Sequence, residues 1–388
     1  MIYLDNAATS FPKPERVYVG MDAFVRAAAA NPGRSGHHMA VQAEAMIDDT
    51  RRLLARLFNA PRPERVVFTL NATDALNMAI KGVLQPGDHV VSSVLEHNSI
   101  NRPLERLARD GVIALTRVPA GADHRIDPEA VAAACTPRTR LLAFTHASNV
   151  TGAIQPVAEL GRVARERDAL LLVDAAQTAG VVPIDLEGSQ IDLLAFTGHK
   201  GLLGPTGTGG LAVGERADVD PWREGGTGGD SSSAVQPREL PYRLEGGTPN
   251  VFGIAGLRDG VRYLLERGID TVLPHERHLL TVFFTALRQP DRFSFFGAER
   301  DFSERGGEGR VGLLSFNLEG LAPVELAMLL DEHFSIAVRP GLHCAPYAHR
   351  HLGTFPQGTV RISPGVLTTE DEMRAAAAAL DELATGVA

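Results

Sequence analysis

The segment "ALLLVDAAQ" (residues 169–177) is an apolar run of strand length that ends in the carboxyl group of Asp174. A second run, "IDLLAFTGHK" (residues 191–200), ends in Lys200. Continuous apolar runs of this length are typical of strands that are buried on both faces, as in parallel sheets covered by helices. Ligands bind at the carboxyl ends of the strands in such sheets, so these two segments predict both the fold class and the place of the functional site.

Similar apolar runs occur throughout residues 65–215, where they alternate with helical patterns such as "PVAELGRVARERD". The seven runs read "RVVFTL", "HVVSSV", "VIALTRV", "TRLLAFTH", "ALLLVDAAQ", "IDLLAFTG" and "GGLAVG". Strands separated by helices predict an α/β domain built on a mostly parallel seven-stranded sheet.

The chain has 388 residues, which is more than one hydrophobic core usually serves. We predict an N-terminal arm (1–14), a large α/β domain (15–255) and a smaller α+β C-terminal domain (256–388). The last of these is predicted from long amphipathic helical stretches up to about residue 290, followed by alternating strand and helix patterns. The Gly/Ser-rich segment 224–243 is predicted to be a flexible loop that lies over a site.

The composition excludes several function classes. With 44% apolar and 22% charged residues and a net charge of -9, the chain has the makeup of a globular protein without a basic nucleic-acid surface. No apolar run reaches the ~18 residues that a membrane helix needs, and the N-terminus lacks the pattern of a signal peptide. The two cysteines, Cys135 and Cys344, give no disulfide framework, which predicts a cytoplasmic protein.

The segment "RPGLHCAPYAHRH" (residues 339–351) places Cys344 between glycine and prolines. These neighbours disfavour a packed element, so Cys344 is predicted to lie in a mobile loop, whereas Cys135 lies in a helical pattern and is predicted to be structural. A free thiol titrates near ~8.5 and needs help to ionise at neutral pH. The candidate helpers are His343, His97 and Arg339.

A metal site is an alternative function for the same segment. Its ligands would be His343, Cys344, His349 and His351. No second CxxC or HxxxH pair completes such a site, so we predict no metal and interpret the trailing histidines as uncommitted loop residues.

The segment "FTGHKGLLGPTGTGG" (residues 196–210) resembles a phosphate-binding loop only in its glycines, because Lys200 precedes most of them. A lysine at a strand end beside Thr197 and His199 suits a Schiff base to an aldehyde cofactor whose phosphate these neighbours hold. Asp174 needs a cation to offset its burial, and a protonated pyridine nitrogen is such a cation. The alternatives for Asp174 are a helix cap and a metal ligand.

Two further segments place polar groups after strands. In "SVLEHNSI", His97 is positioned to stack on a flat ring and to move protons near neutral pH. In "TLNATDALNMAI", Asn71, Ala72 and Thr73 lie between a strand and a helix, where free amides and a hydroxyl form an anion site. An ordinary helix cap is the alternative and is compatible with that role.

The segments "YLDNAATSFPKP", "LEHNS", "HASNVTG", "VDAAQ", "FTGHKGLLGPTGTGGL", "GGTPN" and "RPGLHCAP" occur in the order found in class V, fold-type I pyridoxal-phosphate enzymes. Over essentially the whole chain, the sequence most resembles the group II cysteine desulfurases, the branch that also holds selenocysteine lyases. This resemblance implies the cofactor pyridoxal 5'-phosphate and a homodimer with shared sites. It also implies L-cysteine or L-selenocysteine as the substrate and a protein that accepts the sulfur.

The resemblance implies roles for individual residues. Lys200, Cys344 and His97 would be catalytic. The cofactor would be bound by Lys200, Asp174, Gln177, His97, Thr73, Thr197, His199, Ala72 and Thr248, the last of these reaching the neighbouring subunit's cofactor. The substrate would be bound by Arg361, Asn149, Ala8, His37 and Arg339.

The implied reaction moves sulfur from cysteine to Cys344 as a persulfide and releases alanine. Selenocysteine lyase, β-lyase and class V aminotransferase are alternative activities, and a metal-binding or sulfur-carrier module is the alternative without catalysis. The sequence departs from the commoner pattern at Leu342, where a histidine is frequent, at Ala72, where threonine is usual, and at Thr197, where serine is frequent.

Overall fold

The computed structural model describes residues 1–33, 36–228, 232–297, 302 and 305–386. After a short strand β1 (Ile2–Tyr3), the seven predicted strands form one sheet, in the spatial order β2-β8-β7-β6-β5-β3-β4. They are β2 (Val66–Thr69), β3 (His89–Ser93), β4 (Ala114–Val118), β5 (Thr139–Thr145), β6 (Leu170–Asp174), β7 (Leu193–Thr197) and β8 (Gly209–Val213). Strand β8 is antiparallel to both of its neighbours and the other pairings are parallel, which confirms the predicted fold class.

Helices cover both faces of this sheet. They are α1 (Glu15–Ala28), α2 (His38–Leu57), α3 (Ala72–Val83), α4 (Asn98–Arg109), α5 (Pro128–Ala134), α6 (Val157–Glu166) and α7 (Val251–Arg267). Adjacent residues of β5 point into different apolar clusters, Phe144 into one and Ala143 into the other. Leu104 of α4 belongs to the cluster of Ala143 and Leu160 of α6 to that of Phe144, so α4 and α6 lie on opposite faces.

The rest of the chain builds a four-stranded antiparallel sheet in the order β12-β13-β10-β9. Its elements are α8 (Val272–Ala286), β9 (Phe293–Phe296), β10 (Leu314–Leu318), α9 (Pro323–Phe334), β11 (Ile336–Ala337), β12 (Arg339–Gly341), α10 (Pro346–His351), β13 (Thr359–Ile362) and α11 (Glu370–Gly386). A third apolar cluster, which includes Phe283 and Phe316, packs against this sheet. The predicted boundary between residues 255 and 256 falls inside α7, and the division into domains stays a prediction.

The N-terminal arm joins the two sheets. Asp5 forms a β-bridge with Ser363, directly after β13, and the amide of Ser10 donates to the carbonyl of His199, directly after β7. The Gly/Ser-rich segment has neither helix nor strand in its described parts, residues 224–228 and 232–243. Within the described residues, no helix has the length and apolar character to cross a membrane.

Candidate active site

Three predicted residues meet at the carboxyl edge of the large sheet. Asp174 ends β6, Lys200 lies just beyond the end of β7, and His97 lies between β3 and α4. The charge of Lys200 acts on the imidazole of His97, and that of Asp174 acts on the ammonium of Lys200, so the three side chains share one electrostatic environment.

Lys200 presents an amine that is easily deprotonated. Its Nζ makes no hydrogen bond within the described part of the chain. Burial, reinforced by the positive charge of Arg361, lowers the pKa of its ammonium group to about 8, although Asp174 opposes the shift. A substantial fraction of Lys200 is therefore an uncharged nucleophile near neutral pH.

Asp174 is a buried acidic residue at the end of β6. Its side chain is 3% exposed, and Oδ1 accepts a hydrogen bond from the amide of Ala176 at 2.9 Å. Burial raises the pKa of this carboxyl group. Among the described residues no cationic side chain lies within ion-pair distance of it, so a protonated ring nitrogen would supply the missing partner.

His97 is held as a neutral imidazole. Its Nδ1 accepts a hydrogen bond from the amide of Ser99 at 3.1 Å as the N-cap of α4, so the ring proton is assigned to Nε2. Burial, with the charge of Lys200, lowers the pKa of this imidazole to about 4. A flat, uncharged ring is suited to stacking on an aromatic cofactor.

The start of α3 offers an anion site beside His97. Asn71 caps the helix by accepting a hydrogen bond from the amide of Asp74 at 3.0 Å. The amides of Ala72 and Thr73 make no hydrogen bond within the described residues, and the hydroxyl of Thr73 lies 2.7 Å from that of Ser99. Free amides at a helix N-terminus favour a phosphate group.

Two buried polar atoms on either side of Gly198 lack partners in the described part of the chain. They are Oγ1 of Thr197 and Nδ1 of His199. Burial lowers the pKa of His199 to about 4, so its ring is neutral. Buried polar atoms are rarely left unpaired, so a phosphate oxygen would satisfy both groups, and the residues present fit pyridoxal 5'-phosphate.

Arg361 of β13 faces the other side of the site. Its side chain is fully buried, with Nη2 donating to Oδ1 of Asp5 and Nη1 to the carbonyl of Asn149, each at 3.0 Å. Burial lowers the pKa of its guanidinium group to about 10. Only two of its five N–H groups are used in these bonds, so the guanidinium retains donors for a substrate carboxylate.

The cysteine segment differs from the mobile loop predicted for it. Residues 339–351 form strand β12, a turn in which His343 and Cys344 have positive φ, and helix α10. The amide of Asn98 donates to the carbonyl of Cys344 at 2.7 Å, and Nδ2 of Asn149 donates to that of His343 at 2.6 Å. The segment is thus anchored to α4 and to the residues after β5 through its own backbone.

The interpretation of the trailing histidines as uncommitted is wrong for His349, which is buried in α10 with Nδ1 2.7 Å from the hydroxyl of Thr354. His343 is also buried, with Nε2 3.0 Å from the hydroxyl of Thr359. Among the described residues, no three His, Cys, Asp or Glu side chains come together in a way that could hold a metal ion.

Cys344 is exposed, and Nη2 of Arg339 lies 3.7 Å from its Sγ. Of the three candidate helpers, Arg339 is therefore the one that contacts the sulfur in the described structure. In this contact the guanidinium group is the hydrogen-bond donor and the sulfur is the acceptor.

The remaining predicted residues divide into two groups. Gln177 donates to the carbonyl of Ala7 at 3.1 Å, next to Ala8, and both Gln177 and Ala7 line a cavity of about 50 Å³ beside Lys200. Thr248 instead lines a separate cavity of about 290 Å³. His37 is exposed and caps α2, and neither Thr248 nor His37 lines the cavity beside Lys200 in the described structure.

Sequence reasoning missed three residues that shape the site: Asp5, Ser99 and Glu105. Asp5 pairs with Arg361, Ser99 joins His97 to Thr73, and Oε1 of Glu105 accepts a hydrogen bond from the hydroxyl of Tyr347 on α10 at 2.5 Å. Asp5 carried a signal, since it is a charged residue inside an apolar run.

The chain is similar to known proteins over its whole length. It is 34% identical to a probable cysteine desulfurase of Methanothermobacter thermautotrophicus, over 99% of this chain and 94% of the relative. An apo cysteine desulfurase of Thermococcus onnurineus shares its fold with a TM-score of 0.91 and 33% identity, over 99% of this chain and 95% of that chain. The cysteine desulfurase CsdA of Escherichia coli, in an S-sulfonic acid form, has a TM-score of 0.86 and 32% identity, over 98% and 94% of the two chains.

The sequence model of the family described as Aminotransferase class-V matches residues 2–375, which is nearly the full length of the chain. This match and the fold agree with the resemblance drawn from the sequence motifs. The chain therefore belongs to the class-V aminotransferase family of fold-type I pyridoxal-phosphate enzymes, among relatives named cysteine desulfurases.

Proposed function

We propose that this chain is a pyridoxal-phosphate-dependent cysteine desulfurase that converts L-cysteine to L-alanine and holds the sulfur as a persulfide on Cys344. The observation that carries this proposal is the exposed Sγ of Cys344 beside Arg339, on a turn bonded to Asn149, which in turn contacts Arg361. A thiol at that place is needed for sulfur transfer and has no role in transamination. When bound, the cofactor supplies an electron sink for negative charge at the substrate α-carbon.

Other residues of the site would bind the substrate and move its proton. Arg361 would hold the substrate carboxylate, with Asn149 and Arg339 beside it. Lys200 would take the proton from the α-carbon, because its amine is uncharged in part of the population near neutral pH. The neutral ring of His97 would stack on the cofactor and carry its proton on Nε2.

Sulfur transfer balances without an added oxidant. The thiolate of Cys344 would attack the sulfur of the substrate, forming an S–S bond as the bond between carbon and sulfur breaks. The electron pair of the broken bond takes up a proton and becomes part of the methyl group of alanine. Arg339 would stabilise the thiolate before its attack.

The positions of Thr248 and His37, away from the Lys200 pocket, support a homodimer in which each would serve the partner's site. A sulfur-acceptor protein completes the proposed cycle, and L-selenocysteine is the second candidate substrate. We place the enzyme in the cytoplasm, where the Cys344 thiol stays reduced.

Cofactor capture by the apo protein is expected to depend on pH. Burial lowers the pKa of Lys200 from 10.5 to about 8, so the amine is increasingly protonated below pH 8. Only the uncharged amine attacks an aldehyde, so the rate of covalent capture should rise about tenfold per pH unit below 8 and level off above it. Stopped-flow absorbance after mixing apo protein with pyridoxal phosphate measures this profile, and a rise that continues to pH 10 would contradict the lowered pKa.

Desulfurase activity is tested directly with purified protein, pyridoxal phosphate and L-cysteine. With a thiol reductant present, we expect equal amounts of alanine and sulfide to form over many turnovers. Ketoacid products with no alanine would instead indicate a β-lyase or an aminotransferase. Turnover of L-selenocysteine, measured in parallel, shows whether the enzyme acts on sulfur or on selenium, because a lyase specific for selenium would leave cysteine unreacted.

A further inference from the structure

Three arginines near Cys344 have no carboxylate partner among the described residues: Arg102, Arg339 and Arg350. Among the described residues, the guanidinium group of Arg339 has one hydrogen-bond partner, Sγ of Cys344, and Arg350 lies over the rings of Tyr347 and Phe355. We call these three residues the arginine rim.

The geometry of α4 places Arg102 in this rim. Residues 98, 102 and 105 are spaced i, i+4 and i+7 and so share one face of the helix. Asn98 donates to the carbonyl of Cys344, and Glu105 accepts from the hydroxyl of Tyr347. Arg102 therefore lies between two contacts to the cysteine segment, and its charge reaches His97 at the pocket.

The one carboxylate shown within this arrangement is already neutralised. Glu105 forms an ion pair with Arg117 at 2.9 Å and binds Tyr347 as well. Arg117 also lies 4.6 Å over the ring of Tyr347. The carboxylate of Glu105 is therefore engaged by Arg117 and Tyr347, and it forms no ion pair with the arginine rim in the described structure.

We infer that the arginine rim is the docking surface for the sulfur acceptor, and that this acceptor is a protein whose thiol is flanked by acidic side chains. The inference rests on the proposed function, because it presupposes a persulfide on Cys344. An acidic surface would be attracted to the unpaired cations, and such complementarity mainly raises the rate of association.

The transfer step needs no further reagent. The thiolate of the acceptor attacks the outer sulfur of the persulfide and forms a new S–S bond. The old S–S bond breaks, and its electron pair stays on Sγ of Cys344 as a thiolate. Arg339 lies 3.7 Å from that sulfur and stabilises it as the leaving group.

Two cysteine peptides of opposite charge test the rim on the holoenzyme. Cys344 is first loaded with radiolabelled sulfur from L-cysteine, and transfer is then followed to an acidic peptide (Ac-EDCDE-amide), a basic peptide (Ac-KRCRK-amide) and neutral dithiothreitol. The wild type should react at least about tenfold faster with the acidic peptide than with the basic one at low salt. The preference should shrink as salt screens the charges.

The double variant Arg102→Gln, Arg350→Gln should lose most of this preference and keep its rate with dithiothreitol. Arg162→Gln, Arg167→Gln is the matched control: it removes the same charge from the end and exposed face of α6, across the sheet from α4, and should behave as the wild type. Equal rates with both peptides, or a preference that survives in the double variant, would contradict the inference that the arginine rim is the docking surface.

A serine version of the acidic peptide separates this inference from the proposed function. Its binding, followed by fluorescence polarisation, does not depend on a persulfide. Tighter binding of this peptide to the wild type than to the double variant supports the arginine rim as a docking surface even if Cys344 takes up no sulfur. Failure of sulfur loading would contradict the proposed function, whereas equal binding to both proteins would contradict the rim.

Discussion

Lys200→Ala is expected to abolish turnover of L-cysteine, with a loss of at least about 10³-fold in kcat. The substitution removes both the amine that would bind the cofactor covalently and the base that would take the α-proton. Asp174, Thr197 and His199 remain to hold the cofactor by its ring nitrogen and phosphate. The variant should therefore still bind pyridoxal phosphate, but without the visible absorbance of the lysine-bound form. Absorbance spectroscopy and alanine release measure the two effects.

The chain offers matched controls for this experiment, because it has only three lysines: Lys13, Lys81 and Lys200. Lys13 is half-buried close by, with Nζ 3.0 Å from the carbonyl of Ser10, and burial lowers its pKa to about 8 as well. Lys13→Ala and Lys81→Ala should keep the visible band. After reduction with borohydride, peptide mapping should find the cofactor on Lys200, and its recovery on Lys13 would refute the assignment.

The large sheet could be predicted because each of its seven strands corresponds to a continuous apolar run in the sequence. The same reasoning located Asp174 and Lys200, since polar residues at the ends of buried strands stand out in sequence. His97 and Thr73 were also placed in the site by their positions between a strand and a helix. These signals are local, and each depends on a few neighbouring residues.

Contacts between distant segments left no such signal. The bond between Thr73 and Ser99 depends on how α3 packs against α4, and the pair of Asp5 with Arg361 joins the two ends of the chain. The mobility predicted for the cysteine segment followed from its Gly and Pro content. Gly and Pro content predicts how a segment behaves without tertiary contacts. In the folded protein, the hydrogen bonds from Asn98 and Asn149 to the backbone of the segment hold it in place.

The anchoring of this segment affects how sulfur can leave the enzyme. Cys344 is exposed although the carbonyl groups of Cys344 and His343 are bonded to Asn98 and Asn149. The persulfide would then be offered at the rim of the pocket, and the acceptor would have to bring its thiol there. Sulfur transfer would then depend on the side chains that surround Cys344 and little on movement of the cysteine segment.

Cys344→Ala is expected to lower alanine formation from L-cysteine by at least about 10²-fold while leaving the cofactor spectrum unchanged. The side chain contributes nothing to the phosphate or ring sites, and its loss leaves Lys200 and Asp174 in place. Without the thiolate, the proposed mechanism loses the nucleophile that would attack the substrate sulfur. Alanine release, the visible spectrum and trapping of radiolabelled sulfur on the protein measure these effects together.

Cys135→Ala is the matched control for this last experiment, since Cys135 is the only other cysteine and its thiol donates to the carbonyl of Val131 in α5. That variant should retain both activity and labelled sulfur on the protein. If Cys344→Ala formed alanine at the wild-type rate, the persulfide role would fail and a mechanism that releases the sulfur directly would replace it. Label found on Cys135 in the wild type would likewise assign the nucleophile to the residue that caps the C-terminus of α5. The pair of variants therefore decides whether the thiol beside Arg339 takes the sulfur.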